Sequence, residues 1–272
     1  MRKVSTAQSD RNIPCQPLAP ILASGLASIY SRGRSEKTSN VSGSMDIIFT
    51  NPRSSLVRLF AGYLVKMIKM KSRAPSPFGT YYEFGTGWGG TLAAFMLAAE
   101  QIASTHGLSA EDFRVFAFDT FEGLPPSAHP ADRHAAWQQG AMASTIDVIR
   151  KKMDTHPFAK RVPVQFIKGN FKESLTDVLI ERLKAFPPAL VTIDVDYYTS
   201  TLESLLWVDR FIGSGALIYF DDMWAFHGHP EYGQVRAIRD FRAHSTNGGL
   251  IPFDTYGEAG KCFIYCRKAF EH

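Results

Sequence analysis

Two hydrophobic rhythms alternate along this chain. The first is helical: Leu56, Leu59, Phe60, Tyr63, Leu64 and Met67 recur every three to four residues after Asn51 and Pro52, a pair that suits a helix start. Lys66, Lys69 and Lys71 fall mostly on the opposite face and toward the C-terminal end, where the helix dipole favours cations. The second rhythm is the short apolar run of strand length. Such runs occupy residues 81–84, 113–118, 162–167, 189–193 and 216–220. Helical spacing fills the gaps. Leu92, Phe95, Met96 and Ile102 share one face, further helices are expected over about 144–153 and 172–185, and a helix over 201–212 turns Leu202, Leu205, Leu206 and Phe211 inward. A last helix has Val235, Ile238 and Phe241 inward, and two final runs, 250–253 and 262–266, have no helix between them.

Strands alternating with helices make βαβ units, whose parallel strands share one sheet with helices on both faces. The expected fold is α/β: a Rossmann-like, doubly wound, seven-stranded, mostly parallel sheet with a C-terminal antiparallel hairpin, because a short connection allows only antiparallel pairing. Residues 1–45 are rich in Ser, Pro and Gly and lack periodicity, so they read as a largely disordered basic arm. Residues 46–75 read as an N-terminal helical segment and 76–272 as the α/β domain.

Composition changes this picture little. The chain has 272 residues, 45% hydrophobic and 21% charged, which is enough to bury one core. The net charge of +4 is uneven: residues 1–73 hold twelve Lys or Arg against Asp10, Glu36 and Asp46, so the remainder carries excess acid. The arm lacks the interleaved aromatic residues that stack on single strands, and nucleic acid is not an expected partner. No apolar run reaches ~18 residues, so no membrane span is expected. The uncharged stretch 12–31, broken by Pro14, Pro17 and Pro20, makes a poor signal-peptide core, and a cytoplasmic location is the default. Cys15, Cys262 and Cys266 are too few for a disulfide framework, and the last two share one strand face as buried thiols. The helix ahead of the domain is the available surface for a homo-oligomer.

The chemistry collects at the ends of the apolar runs. The fourth run ends in Asp194 and Asp196 and the fifth in Asp221 and Asp222. In a parallel sheet these share the edge where ligands bind. Four carboxylates there need a cation, shared protons or water, and an all-oxygen donor set suits Mg²⁺. After the first run comes Glu83-Phe84-Gly85-Thr86-Gly87-Trp88-Gly89-Gly90, which fits both G-x-G-x-x-G and acidic-x-G-x-G-x-G. A carboxylate at Glu83 would repel a pyrophosphate but suits a cationic ligand or ribose hydroxyls. Asp119, 29 residues after Gly90, is placed to take both hydroxyls of an adenosine ribose. S-adenosylmethionine, a nucleoside with a sulfonium and no phosphate, meets both demands. Asp194 is the favoured proton acceptor with Asp196 second, and His227 and His229 are alternative bases in the loop after the acidic pair. The segment 121–140, with Trp137, is a candidate lid, while Tyr197, Tyr198 and Trp224 are candidates to line an acceptor pocket.

A narrower likeness rests on five segments: FAFDTFEGLPPS (116–127), FIKGNFKESL (166–175), IDVDYYTSTLESL (193–205), ALIYFDDM (216–223) and GQVRAIRDFRA (233–243). Over roughly residues 81–268 the chain resembles the macrocin O-methyltransferase family of class I S-adenosylmethionine-dependent methyltransferases. The resemblance implies a methyltransferase domain over 76–272 and Mg²⁺ on Asp194, Asp221 and Asp222. It also implies the donor lying along the glycine loop, with Glu83, Gly85, Thr86, Gly87, Gly89 and Thr91 around it, ribose on Asp119 and adenine near Gly169, Asn170 and Phe171. The implied partner is a small hydroxylated natural product, methylated on a sugar. Two places depart from the family's pattern: Val195 stands where it has glycine, and the loop MWAFHGHPEY after Asp222 differs. Three rival readings are a nicotinamide-dependent oxidoreductase, a metal-free methyltransferase and a non-enzymatic module that keeps the fold. The first lacks a Tyr-Lys or His pair at suitable spacing and leaves four aspartates unexplained.

Overall fold

In the computed structural model, which describes residues 54–70, 79–256 and 260–269, the apolar runs pair into one seven-stranded sheet. Strands β1 (Thr80–Phe84), β2 (Arg114–Asp119), β3 (Val164–Lys168), β4 (Leu190–Ile193) and β5 (Leu217–Phe220) are parallel. Strands β6 (Gly248–Tyr256) and β7 (Gly260–Arg267) form the antiparallel pair, and the spatial order is β3-β2-β1-β4-β5-β7-β6. The chain first steps outward from β1 to β3 and then returns to the other flank of β1. That reversal lies between β1 and β4, and in open α/β sheets such a switch point opens a crevice at the strand C-termini. The basic arm expected over 1–45 lies outside the described residues, as does Cys15.

Strands β1, β4 and β5 are buried on both faces, which is why they read as unbroken apolar runs rather than alternating ones. Alternate side chains feed two cores. Tyr81, Val115, Leu190 and Leu217 pack with α1 (Ser54–Met70), α2 (Gly90–His106) and α3 (Ile146–Asp154). Tyr82, Phe84, Phe118, Ile193 and Phe220 pack with α5 (Asp177–Leu183), α6 (Tyr198–Val208) and α7 (Gly233–His244) on the other face. The apolar stripe of α1 is used inside this body: Phe60 meets Tyr81 and Phe95, and the Tyr63 hydroxyl donates to the Gly215 carbonyl.

Three sequence expectations change. The helix expected over 172–185 is two pieces, α4 (Phe171–Ser174) and α5, because the Thr176 side chain accepts from the Leu179 N–H and starts a new helix. Helix α6 begins at Tyr198 rather than 201. On α7 the buried stripe is Gln234, Ala237, Ile238 and Phe241, while Val235 is only half-buried. Cys262 is buried, Cys266 half-buried, and both are free thiols. Among the described residues no helix is long and apolar enough to cross a membrane.

Candidate active site

The C-terminal edge of β1 and β4 is assembled around one glycine. Gly85 has φ +84°, and a Cβ there would lie 1.8 Å from the Asp194 carbonyl oxygen. The close approach follows from the sheet: the Asp194 N–H donates to the Phe84 carbonyl at 2.9 Å, carrying the β4 end across the loop. Gly85 is therefore required by the neighbouring strand as well as by any ligand.

Beyond it the glycine loop is held from two sides. One oxygen of Asp119 accepts from the N–H groups of Thr86 (2.8 Å) and Gly87 (2.9 Å), and the other from Phe121 (2.7 Å). From α3 the buried Lys152 ammonium donates to the Trp88 carbonyl at 3.1 Å, and burial pushes its pKa down. Gly89, at φ +83°, caps the start of α2.

The loop forms one wall of a cavity of about 280 Å³. Gly85, Thr86, Gly87, Thr91, Asp119, Asn170, Phe171, Asp194 and Asp196 line it, and among the described residues no Lys or Arg does. Glu83 is fully buried at the end of β1, and Glu83, Gly89 and Gly169 do not line it. A cavity with three aspartates and no described Lys or Arg in its lining is hostile to a pyrophosphate and suits a cationic ligand.

Asp194 also belongs to a second group. One oxygen each from Asp194, Asp221 and Asp222 lie within 4.8 Å of one another, all three residues half-buried. Thr91 donates to Asp194 at 3.3 Å and the Tyr219 hydroxyl to Asp221 at 2.5 Å. A hard cation with bonds of about 2.0–2.1 Å takes such an all-oxygen set after a small contraction, so the donor chemistry fits Mg²⁺.

Asp196 stands apart. It is 7% exposed and lines the cavity outside this trio. Its φ is +59°, and the Tyr197 N–H closes back on the Val195 carbonyl at 2.5 Å, a γ-turn with a left-handed central residue. Burial first, then the charges of Asp194, Asp221 and Asp119, push its carboxyl up to about 8. The non-glycine residues with positive φ among those described are Phe121, Met142, Asp196 and His227, all in loops at this edge of the sheet. Such strain costs about 1–3 kcal/mol per residue and persists where the surroundings over-determine it.

His227 and His229 are exposed, and neither lines the cavity. Sequence reasoning overlooked a different histidine. His134 packs against Trp137 with the rings tilted (4.6 Å) and meets Phe226 edge-on (5.2 Å), so it joins the segment after β2 to the loop after β5. Its Nδ1 accepts from the Ala136 N–H, and its ring also bonds the Ala225 backbone. Asp132, buried, ties the same segment to α6 through the Thr199 N–H (3.1 Å) and hydroxyl (2.7 Å). Tyr197 is buried and bonds the Pro125 carbonyl, Tyr198 bonds Asp240, and Trp224 is 61% exposed. Gln234 was also overlooked: a polar residue at a buried helical position was its only signal in the sequence.

A sequence model of the macrocin-O-methyltransferase (TylF) family matches residues 77–259. Among solved structures, the chain is similar to the O-methyltransferase NovP, with a TM-score of 0.57 and 21% identity over 76% of this chain and 78% of that one. It is also similar to CalS11, a calicheamicin methyltransferase, with a TM-score of 0.56 and 16% identity over 94% of this chain and 99% of that one. At these identities both speak for the fold. No curated protein matches the chain.

Proposed function

The chain belongs to the macrocin-O-methyltransferase family, and from that premise we propose a divalent-cation-assisted methyl transfer to a sugar hydroxyl of a small natural product. That it is an S-adenosylmethionine-dependent O-methyltransferase follows from the family. The acceptor class and the cation are the proposal. One observation carries it: Asp194 lines the acidic cavity and is also one of the three clustered carboxylates, so a donor in the cavity and a cation on the trio would share a wall. In this reading the methyltransferase domain runs over 76–272.

The chain's residues divide the work. The glycine loop, braced by Asp119, holds the donor, whose sulfonium supplies an electrophilic methyl group. Asp194, Asp221 and Asp222 would hold the cation, with Thr91 and Tyr219 orienting two of them. When bound, the cation supplies Lewis acidity that lowers the hydroxyl pKa and orients its oxygen. Asp196 lines the cavity outside the trio and accepts the hydroxyl proton in its carboxylate form, which the charge of a bound cation would favour. An O–CH₃ bond then replaces the S–CH₃ bond, leaving S-adenosylhomocysteine. Attack is in line, so positioning supplies most of the acceleration. The 121–140 segment, whose Gly123, Leu124 and Pro125 line the cavity, would cover the reacting groups from water.

Mass spectrometry of acceptors incubated with the protein, S-adenosylmethionine and Mg²⁺ tests this. Across a panel of glycosides and phenols, the glycosides are expected to gain one methylene unit on the sugar. Full turnover in chelator would remove the cation, and methylation confined to phenols would remove the sugar. Thermal stabilisation by NADH and not by S-adenosylmethionine would favour the oxidoreductase.

A further inference from the structure

We propose that Gln234 is a positioning residue for the acid cluster, its side-chain amide acting as the missing peptide unit between the two strand ends that carry the carboxylates. Strands β4 and β5 pair in register as far as Ile193 opposite Phe220. The last ladder bond, from the Asp221 N–H to the Ile193 carbonyl, is already stretched to 3.3 Å. Past it the strands part. The β4 chain turns to β1, where the Asp194 N–H meets Phe84. Among the described residues no strand then lies opposite the Asp222 N–H.

Gln234 fills that gap from the first turn of α7. Its Oε1 accepts from the Asp222 N–H at 2.8 Å, and its Nε2 donates to the Ile193 carbonyl at 2.9 Å. One acceptor and one donor, one to each strand, reproduce what a backbone rung would supply. The side chain is 1% exposed, so water does not replace it. Gly233 just before it has φ +51°, and a Cβ there would strike the Phe226 ring at 2.7 Å, which seats the helix start against the loop after Asp222. Gln234 thus sets the spacing between the backbone before Asp194 and the backbone of Asp222. It acts through the chain and not on the ligand, because it lines no part of the donor cavity.

This inference rests on the proposed cation reading, and Mn²⁺ titration without donor or acceptor separates the two. Loss of the free Mn²⁺ resonance signal reports binding, and calorimetry reports S-adenosylmethionine affinity on the same samples. The wild-type chain is expected to bind Mn²⁺. Gln234→Met keeps the volume and loses both bonds; Gln234→Asn keeps an amide that is too short to span both strands, and serves if the first variant does not fold. Each is expected to weaken Mn²⁺ binding by about 10–100-fold, the range typical of outer-shell partners, with donor affinity unchanged. A wild-type chain that binds no Mn²⁺ would overturn the cation reading and this inference with it. Variants that bind Mn²⁺ as well as wild type, or that lose Mn²⁺ and donor in step, would overturn the role of Gln234 alone.

Discussion

Asp119 ends β2, Asp196 lies just past β4, and both line one cavity, yet the fold treats them in opposite ways. Asp119 accepts from three backbone N–H groups at 2.7–2.9 Å, so its charge is solvated by amides before any ligand arrives. Asp196 sits on a left-handed residue, buried among Asp194, Asp221 and Asp119, and its carboxyl is pushed up. One half of the cavity is thus preorganised by dipoles already in place. The other half holds crowded negative charge that a cation would relieve. Such crowding survives because surrounding packing fixes it.

The contrast can be broken at several points. Gly85 joins the halves, and Gly85→Ala forces a Cβ to within 1.8 Å of the Asp194 carbonyl oxygen at an unfavourable φ. A loss above about 4 kcal/mol, or failure to fold, is expected from urea denaturation. Wild-type stability would mean that the two strand ends need not touch.

A smaller effect is expected from Asp221→Ala, which removes one of the clustered carboxylates. Methyl transfer should fall by more than about 100-fold, beyond the loss usual for outer-shell partners, with donor affinity intact by calorimetry. Equal loss of turnover and donor binding would show that the halves are not separable.

The two central aspartates are then compared directly. Asp119→Asn weakens the charge-assisted bonds to the glycine loop, worth about 1.5–3 kcal/mol each, so donor affinity and Tm should both fall. Above about pH 8, where burial and its neighbours no longer keep Asp196 protonated, Asp196→Asn removes a crowded charge, so metal-free Tm there should rise by about 2–4 °C for a relief near 1 kcal/mol, while kcat drops. Shifts of the same sign in both would erase the distinction.

The smallest effect concerns the loop latch. Burial, and then the charge of His227, lower the pKa of His134 below its ordinary 6.5. Its neutral Nδ1 accepts from Ala136, a role lost on protonation. An undocked loop therefore binds a proton that the docked one refuses, and docking weakens as pH falls below that ordinary value. Hydrogen-exchange protection over 120–145, corrected for the intrinsic pH dependence of amide exchange, should fall as pH drops from about 6.5 to about 5, and His134→Asn should flatten the response.

What the chain shows by itself is what short-range pattern can encode. Apolar runs and helical spacing mark the strands and most helices, because those periods are local. The acidic pairs after the fourth and fifth runs follow from the same logic, since parallel strands bring their ends to one edge. Where local signals competed, the pattern was less legible: Thr176 divides a stretch that reads as one helix. Tertiary structure alone decides how the edge is used. A γ-turn separates Asp196 from the trio, three amides claim Asp119, and Gln234 and His134 acquire partners 41 and 91 residues away in the chain, at Ile193 and Ala225. Left-handed residues and side-chain bonds across strand ends depend on what the rest of the fold places beside them, and no local period records that.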